Sequence, residues 1–176
     1  MPHPLDKFRF CPVCGSNHFQ ENNFKSKRCA DCGFIYYANP CSATAAFIRN
    51  SQGDLLVAVR GKEPAKGTLD LPGGFVDMDE TVEQGMIREI KEETGLDVAV
   101  LRYLFSIPNR YLYSGMLIHT IDMFFEVHVP DDVTPHADDD AAALTWMPLN
   151  KIDPAQFGLQ SISKAVRQYL AASSKR

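Results

Sequence analysis

The segment GFVDMDETVEQGMIREIKEETGL, residues 74–96, decides the fold of this chain. Its periodicity predicts a helix from Val82 to Thr94. Thr81 followed by Gln84 matches a capping box, in which each residue satisfies a backbone N–H group of the other at a helix start. Gly95 stands where a glycine commonly ends a helix. Both ends of the helix are therefore predicted from local sequence.

Three carboxylates share one face of this helix, because Glu89, Glu92 and Glu93 are spaced at i, i+3 and i+4. The apolar stripe of the helix runs into Glu93, and a buried charge needs a partner or a metal ion. Clustered carboxylate oxygens suit Mg²⁺ or Mn²⁺. An ordinary solvated, Glu-rich face explains the helix taken alone about equally well.

The wider spacing resembles a known family. Gly74, five residues, Glu80, seven residues and then REIKEETGL from Arg88 match the pattern GX5EX7REUXEEXGU of the Nudix box, where U is aliphatic. The segment around Trp146 and Pro148 also resembles the closing strand of that family. The resemblance implies an α/β/α sandwich built on a mixed sheet.

The resemblance also implies residue roles. It makes the chain a Nudix pyrophosphohydrolase that uses Mg²⁺ or Mn²⁺ to cut a diphosphate bond. The metal-binding and catalytic acids are then Glu89, Glu92 and Glu93, with a carbonyl of Gly73 or Gly74 as a further ligand. Glu80 and Arg88 are a supporting pair that orients the helix. The general base stays open between Glu92 and the acidic run Asp138, Asp139 and Asp140.

The remaining pattern agrees with an α/β fold. A turn at Gly53 indicates a hairpin between the first two strands, and Ile162, Ala165, Val166 and Tyr169 have the spacing of a closing amphipathic helix. Strands mixed with two helices suggest a sheet covered on both faces. The predicted strands are Ser42–Arg49, Asp54–Arg60, Thr68–Leu71, Val98–Phe105, Leu117–Val129 and Ala142–Met147.

Two CxxC pairs precede this segment, Cys11 with Cys14 and Cys29 with Cys32. Such doubled spacing supplies the four-sulfur tetrahedral shell that structural Zn²⁺ prefers. We therefore expect a zinc ribbon at residues 1–40 and the Nudix domain at residues 41–176. Two disulfides or a redox pair are the alternatives, which a reducing compartment opposes.

Two further residues, one in the predicted ribbon and one just after it, are of types that can bind metal. Cys41 stands outside the CxxC spacing, and we expect a small buried residue there. His18 lies between the pairs, where a surface histidine is the expectation.

Composition places the chain among ordinary globular proteins, with 176 residues, 45% hydrophobic and 23% charged. The net charge of −4 argues against a general nucleic-acid binder. No signal-peptide order and no apolar run of membrane-spanning length are visible. We expect a cytoplasmic protein without membrane contact.

The substrate is less defined than the chemistry. A zinc ribbon before a Nudix domain is similar to the NADH pyrophosphatases. Residues 106–114 do not match their SQPWPFPxS motif, and we expect no counterpart of their further N-terminal domain. In that segment Arg110 is a candidate phosphate ligand, and Tyr111 and Tyr113 are candidates for base stacking. Ordinary strand packing explains the segment equally well.

The leading hypothesis is hydrolysis of a nucleoside diphosphate linked to another group, such as ADP-ribose, NADH, FAD or a sugar nucleotide. A second hypothesis is a 5′-cap hydrolase, for instance of NAD-capped RNA, whose ribbon docks RNA through aromatic residues. A third is a nucleotide sensor without catalysis, which the complete set of box acids disfavours. A homodimer is expected from the resemblance.

Overall fold

The computed structural model describes residues 3–113, 115–130, 135–136 and 141–173. The chain divides into two compact units. One contains Met1–Pro40 and Arg110–His119, and the other contains Cys41–Asn109 and Thr120–Arg176. The sequence had placed residues 110–119 with the second segment.

Strands dominate the described residues, and two helices accompany them. The helices are α1 (Val82–Thr94) and α2 (Gln160–Ser173), with short 3₁₀ turns at Leu149–Lys151 and Pro154–Gln156. Neither helix, nor any other in the described ranges, has the length and apolar character that a membrane crossing requires. The strands are β1 (Phe19–Asn23), β2 (Ser26–Cys29), β3 (Ile35–Tyr37), β4 (Cys41–Arg49), β5 (Leu55–Arg60), β6 (Leu69–Asp70), β7 (Arg102–Tyr113), β8 (Met116–His128) and β9 (Ala141–Met147).

The larger sheet is mixed and runs in the order β6-β5-β4-β8-β7, with β9 also paired to β5. Strand β4 lies in parallel beside β8 along its whole length, from Cys41 opposite Thr120 to Arg49 opposite His128. The hairpin predicted for β4 and β5 is present at its turn end, where Arg49 lies opposite Leu55. The parallel partner β8, far away in sequence, pairs with the other edge of β4 along its whole length.

The two faces of this sheet carry separate cores, because successive side chains of a strand point to opposite faces. Phe47 packs towards α2 with Val166 and Tyr169, and its ring stacks on Tyr169 at a centroid distance of 4.0 Å. Ile48 packs towards α1 with Ile90. Burying one such aliphatic side chain contributes about 2 kcal/mol. The predicted α/β/α sandwich is confirmed.

Strand β7 differs from its prediction. It was expected at Val98–Phe105 but runs from Arg102 to Tyr113. The strand includes Pro108 and continues to Tyr113, through most of the segment for which ordinary strand packing was the alternative, and β7 is the last strand of its sheet order. An edge strand accommodates a proline, because the missing N–H group can face away from the ladder.

The smaller sheet, in the N-terminal unit, is antiparallel with the order β1-β2-β3. Its register places Gln20 opposite Arg28, Arg28 opposite Ile35, and Ser26 opposite Tyr37. The apolar cluster beneath it is small and is formed by Cys11, Phe19 and Cys29, with Phe8 and Phe34 against it. Such a cluster is too small to fold a segment of this length unaided.

Candidate active site

Helix α1 carries the box acids, and its ends are those the sequence predicts. Thr81 accepts a hydrogen bond from the Gln84 backbone N–H at 3.2 Å, and the Gln84 side chain accepts one from Thr81 at 2.8 Å. Gly95 takes the left-handed conformation at φ 71° and donates to the Lys91 carbonyl. Met86 and Ile90 are fully buried. The packed stripe therefore fixes the direction in which the acids project.

Arg88 is the centre of the acid cluster. Its Nε and Nη2 donate to the two Glu80 oxygens at 2.7 and 3.0 Å. Its Nη1 donates to Glu89 at 2.8 Å and to Glu92 at 2.9 Å, and Nη2 also reaches the Phe75 carbonyl at 3.0 Å. Because the guanidinium is planar and rigid, it sets the relative positions of three carboxylates.

The electrostatics of these acids differ. The hydrogen bond from Arg88 lowers the pKa of Glu80 below its usual range. Burial raises the pKa of Glu89, against the lowering effect of Arg88. The Glu89 side chain is 14% exposed, whereas that of Glu92 is 50% exposed. Glu89 is thus a confined carboxylate and Glu92 an accessible one.

The turn before the helix touches the same acids. The Gly73 N–H donates to Glu93 at 2.9 Å. A Cβ placed on Gly74 would lie 2.5 Å from a Glu89 oxygen, so any other residue there would displace the Glu89 carboxylate. The Gly74 carbonyl accepts the Thr44 N–H at 2.8 Å, which ties the turn to β4. The acids and the Gly73–Gly74 turn therefore form one local site.

The donor set of this site suits a hard divalent cation. Glu89 and Glu92 are both hydrogen-bonded to Arg88 Nη1, which brings one oxygen of each close together. Carboxylate and carbonyl oxygens are the ligands that Mg²⁺ prefers. The metal-binding roles of Glu89, Glu92, Glu93 and Gly74, and the supporting roles of Glu80 and Arg88, stay predictions. Of the two base candidates, Glu92 is described and Asp138, Asp139 and Asp140 lie outside the described residues.

A second candidate metal centre lies in the N-terminal unit. The ligand atoms of Cys11, Cys14, Cys29 and Cys32 all lie within 4.8 Å of one another. Two of the sulfur pairs are 3.7 and 3.6 Å apart. A Zn–S bond of about 2.3 Å gives a tetrahedral edge of about 3.8 Å, so the four thiols fit zinc. Among the described residues, these four cysteines form a close-set group of potential metal ligands.

Backbone geometry prepares these thiols. In each CxxC turn the following glycine, Gly15 or Gly33, has a positive φ and donates to the carbonyl of the first cysteine, at 2.9 and 3.0 Å. Hydrogen bonding from the Cys32 backbone N–H lowers the pKa of Cys29 to about 6, against the raising effect of burial. Metal ligation requires the thiolate, so the Cys32 N–H group favours the binding form of Cys29.

Two expectations about neighbouring residues have different outcomes. His18 is a surface residue, as predicted, and its Nδ1 lies 3.0 Å from an Asp31 carboxylate oxygen. The prediction that Cys41 is buried was wrong. Cys41 is exposed at the first position of β4. Burial along β4 begins only at Thr44, where the strand enters the core between the two helices.

The residues predicted to bind substrate and the residues of the Nudix box belong to different compact units of the chain. Arg110, Tyr111 and Tyr113 belong to the unit that contains the cysteines, whereas the box belongs to the other unit. The Tyr111 and Tyr113 rings lie on one side of β7, with centroids 6.3 Å apart. Arg110 is exposed on the opposite side of the strand. Their roles stay predictions.

Sequence reasoning missed buried acids in β8. Asp122 accepts hydrogen bonds from Thr120 and from Asn109, the latter at 3.0 Å. Glu126 accepts the Tyr169 hydroxyl at 2.6 Å and pairs with Arg102. The signal was available, because two charged residues interrupt an otherwise apolar strand.

Comparison with known proteins agrees with this geometry. The NUDIX domain profile matches residues 39–169, well over half of the chain. The NAD-capped RNA hydrolase NudC of Vibrio atlanticus is 34% identical over 68% of this chain and 44% of its own length. The NudC of Pseudomonas aeruginosa is 28% identical over 94% of this chain and 57% of its own.

This chain therefore spans about half the length of the curated relatives it matches. A crystal structure of a NUDIX hydrolase from Nitrosomonas europaea superposes with a TM-score of 0.71 at 21% identity, covering 93% of this chain and 90% of that one. This likeness shows the shared fold. With the profile match and the complete box, it follows that the chain belongs to the Nudix family.

Proposed function

We propose that this chain is a metal-dependent pyrophosphohydrolase acting on a nucleoside diphosphate linked to another group. The observation that carries the proposal is the arrangement around Arg88. One guanidinium aligns Glu80, Glu89 and Glu92 beside a glycine turn whose N–H holds Glu93. Nudix hydrolases need a divalent metal ion, and this arrangement offers the oxygen ligands for one.

The residues that would hold the ion are Glu89, Glu92, Glu93 and the Gly74 carbonyl. Mg²⁺ is the proposed cation and Mn²⁺ its substitute, since both prefer oxygen ligands. When bound, such a cation neutralises phosphate charge and lowers the pKa of water. The protein's own part is to keep the carboxylates together before substrate arrives, through Arg88 and the packed stripe of α1.

The proposed step is an in-line displacement. A water oxygen forms a bond to one phosphorus, and the bond from that phosphorus to the bridging oxygen breaks. The other phosphate leaves with the electron pair of the bridging oxygen. The proton of the water passes to a carboxylate, for which Glu92 is the accessible candidate at 50% exposure. One of Asp138, Asp139 and Asp140 is the alternative base.

The names of the relatives bear on the substrate. Two of the relatives are named as NAD-capped RNA hydrolases. The NAD cap in that name has two phosphates between two nucleosides. We therefore place dinucleotides first in the test, ahead of ADP-ribose, FAD and sugar nucleotides. NAD-capped RNA is the second candidate substrate, favoured by the same names. Arg110 for phosphate and Tyr111 and Tyr113 for base stacking are the proposed contacts.

The test is an assay of the purified protein against these compounds with Mg²⁺, with Mn²⁺ and with chelator. We expect metal-dependent cleavage of at least one diphosphate, reduced about 100-fold or more by Glu93→Gln because a ligand charge is lost. Glu83→Gln is the matched control, since Glu83 is an exposed acid on the same helix outside the Arg88 cluster. Equal activity of the two variants, or no turnover of any compound, would contradict the proposal.

A further inference from the structure

One face of the small sheet is unlike the rest of the N-terminal unit. Residues directly opposite each other in a ladder project to the same face. The register therefore puts Gln20, Arg28 and Ile35 on one face, together with Tyr37 and the fully buried Ser26. Phe19 and Cys29 project to the other face, where the buried cluster lies. The cluster that stabilises the ribbon thus lies behind the sheet.

The front face exposes apolar and aromatic groups. Phe24, in the turn between β1 and β2, is 82% exposed, Tyr37 is 44% exposed and Ile35 is 36% exposed. The Lys25 ammonium lies 5.8 Å from the Phe24 ring centroid and 6.0 Å from that of Tyr37. A single cation is therefore flanked by two accessible rings. These rings contribute little to the ribbon core, so their exposure calls for another use.

The charge on this face has one sign. Lys25 and Arg28 are both exposed. The single acidic residue of β1, β2 and β3 is Glu21, which lies opposite Lys27. Lys27 is buried and donates to the Phe8 carbonyl at 2.8 Å, so this pair belongs to the rear face. The front face is accordingly cationic and aromatic, although the whole chain has a net charge of −4.

We propose that this front face, formed by Phe24, Lys25, Arg28, Ile35 and Tyr37, binds single-stranded RNA. Bases stack on the two rings, and the intervening phosphates contact Lys25 and Arg28. Single strands are the fitting partner because their unpaired bases reach aromatic side chains, whereas a duplex hides its base faces. An acidic peptide would satisfy the cations but leave both rings in water.

This inference rests on the proposed function and extends it. The diphosphate to be cleaved would be attached to the RNA strand that the front face binds. It is tested without hydrolysis. The probe is a fluorescent single-stranded RNA of about 12 nucleotides with a 5′ hydroxyl, which contains no diphosphate. Binding is followed by anisotropy with the zinc-loaded full chain at several salt concentrations, so failure of catalysis cannot mimic failure of binding.

The expected result is salt-sensitive binding that depends on the front face. Phe24→Ala with Tyr37→Ala weakens binding about tenfold or more, because stacking on two rings is lost. Lys25→Ala with Arg28→Ala lowers the slope of log K against log salt by about 1.4, or about 0.7 per phosphate contact. The matched controls are Phe10→Ala, at 63% exposure, and Lys7→Ala with Arg9→Ala, which change neither quantity.

Zinc content and cleavage of a small diphosphate are measured for every variant and stay at the wild-type level if the variants fold. Binding that is equal in front-face and control variants overturns the proposal. Equal affinity for duplex RNA, or no binding at the lowest salt, does so as well. If the front-face variants instead change the sedimentation of the protein without RNA, a second copy of the chain occupies the face and the proposal is wrong.

Discussion

The cysteine cluster and the carboxylate cluster solve the problem of gathering ligands in opposite ways. The four thiols gather within 4.8 Å of one another, and two of them, Cys11 and Cys29, themselves belong to a small core completed by Phe19, Phe8 and Phe34. The carboxylates are held by Arg88 on a helix that is already packed through Met86 and Ile90. In the first region we propose that an ion supplies the missing core, whereas in the second the core positions the side chains.

The largest expected effect concerns zinc. Cys29→Ser, or removal of zinc by a strong chelator, should unfold β1, β2 and β3, because structural zinc contributes about 10 kcal/mol or more to small ribbons. Amide hydrogen exchange is the measurement. Protection should disappear from these strands and persist in β4, β5 and β8. The control is Cys41→Ser, which removes an exposed thiol outside the cluster.

If β1, β2 and β3 keep their protection from hydrogen exchange after complete zinc removal, the proposed difference between the two regions is wrong. That result would mean that the small apolar cluster suffices without an ion. Loss of protection in both units together would contradict this difference in the other direction, because the larger sheet would then depend on zinc too.

A smaller effect is expected at Arg88. Arg88→Ala leaves Glu80, Glu89 and Glu92 without their shared donor, so the free energy of unfolding should fall by about 2–3 kcal/mol. Urea denaturation of the zinc-loaded protein without added Mg²⁺ measures this. Lys91→Ala is the matched control, because the exposed Lys91–Asp97 pair should contribute less than about 1 kcal/mol.

The same variant sharpens the comparison when Mg²⁺ is added. If the acids bind the ion, Mg²⁺ should restore part of the stability lost in Arg88→Ala, because a cation replaces the guanidinium charge. If Mg²⁺ raises the free energy of unfolding of the wild type but not that of Arg88→Ala, Arg88 is needed to bring the metal ligands together.

The smallest effect tests a buried acid away from both clusters. Burial would raise the pKa of Glu126, but hydrogen bonds from Tyr169 and Arg102 lower it below its ordinary value of 4.5. A carboxyl with a lowered folded-state pKa contributes stability above the unfolded pKa and loses it as the pH falls through the folded pKa. Wild-type protein should therefore lose stability below about pH 4.5 more steeply than Glu126→Gln.

Denaturation midpoints of the two proteins across this pH range give the measurement. Tyr169→Phe should cost about 1 kcal/mol at neutral pH, because one buried hydrogen bond is lost. If the denaturation midpoints of wild type and Glu126→Gln fall in parallel as the pH is lowered, the Glu126 carboxylate does not contribute to the pH dependence of stability.

The elements closest to local sequence rules were the most predictable. Helix α1 begins and ends as expected, since a capping box and a C-terminal glycine act within a few residues of the helix ends. Each CxxC turn is equally local, whereas the meeting of the two turns joins Cys11 to Cys32 and Cys14 to Cys29, which are distant in the chain. Strand β7 begins and ends later than predicted, and it accommodates Pro108 because of its place at the end of the sheet order.

The sequence by itself determined the spacing of the box acids, the caps of α1 and the two CxxC turns, because these depend on contacts a few residues apart. Tertiary structure alone decided that β4 pairs with β8, that Cys41 is exposed and that Glu126 meets Tyr169. It also decided which face of the small sheet exposes Phe24 and Tyr37. Such features join residues distant in the chain, and side-chain periodicity carries no information about which distant partner is chosen.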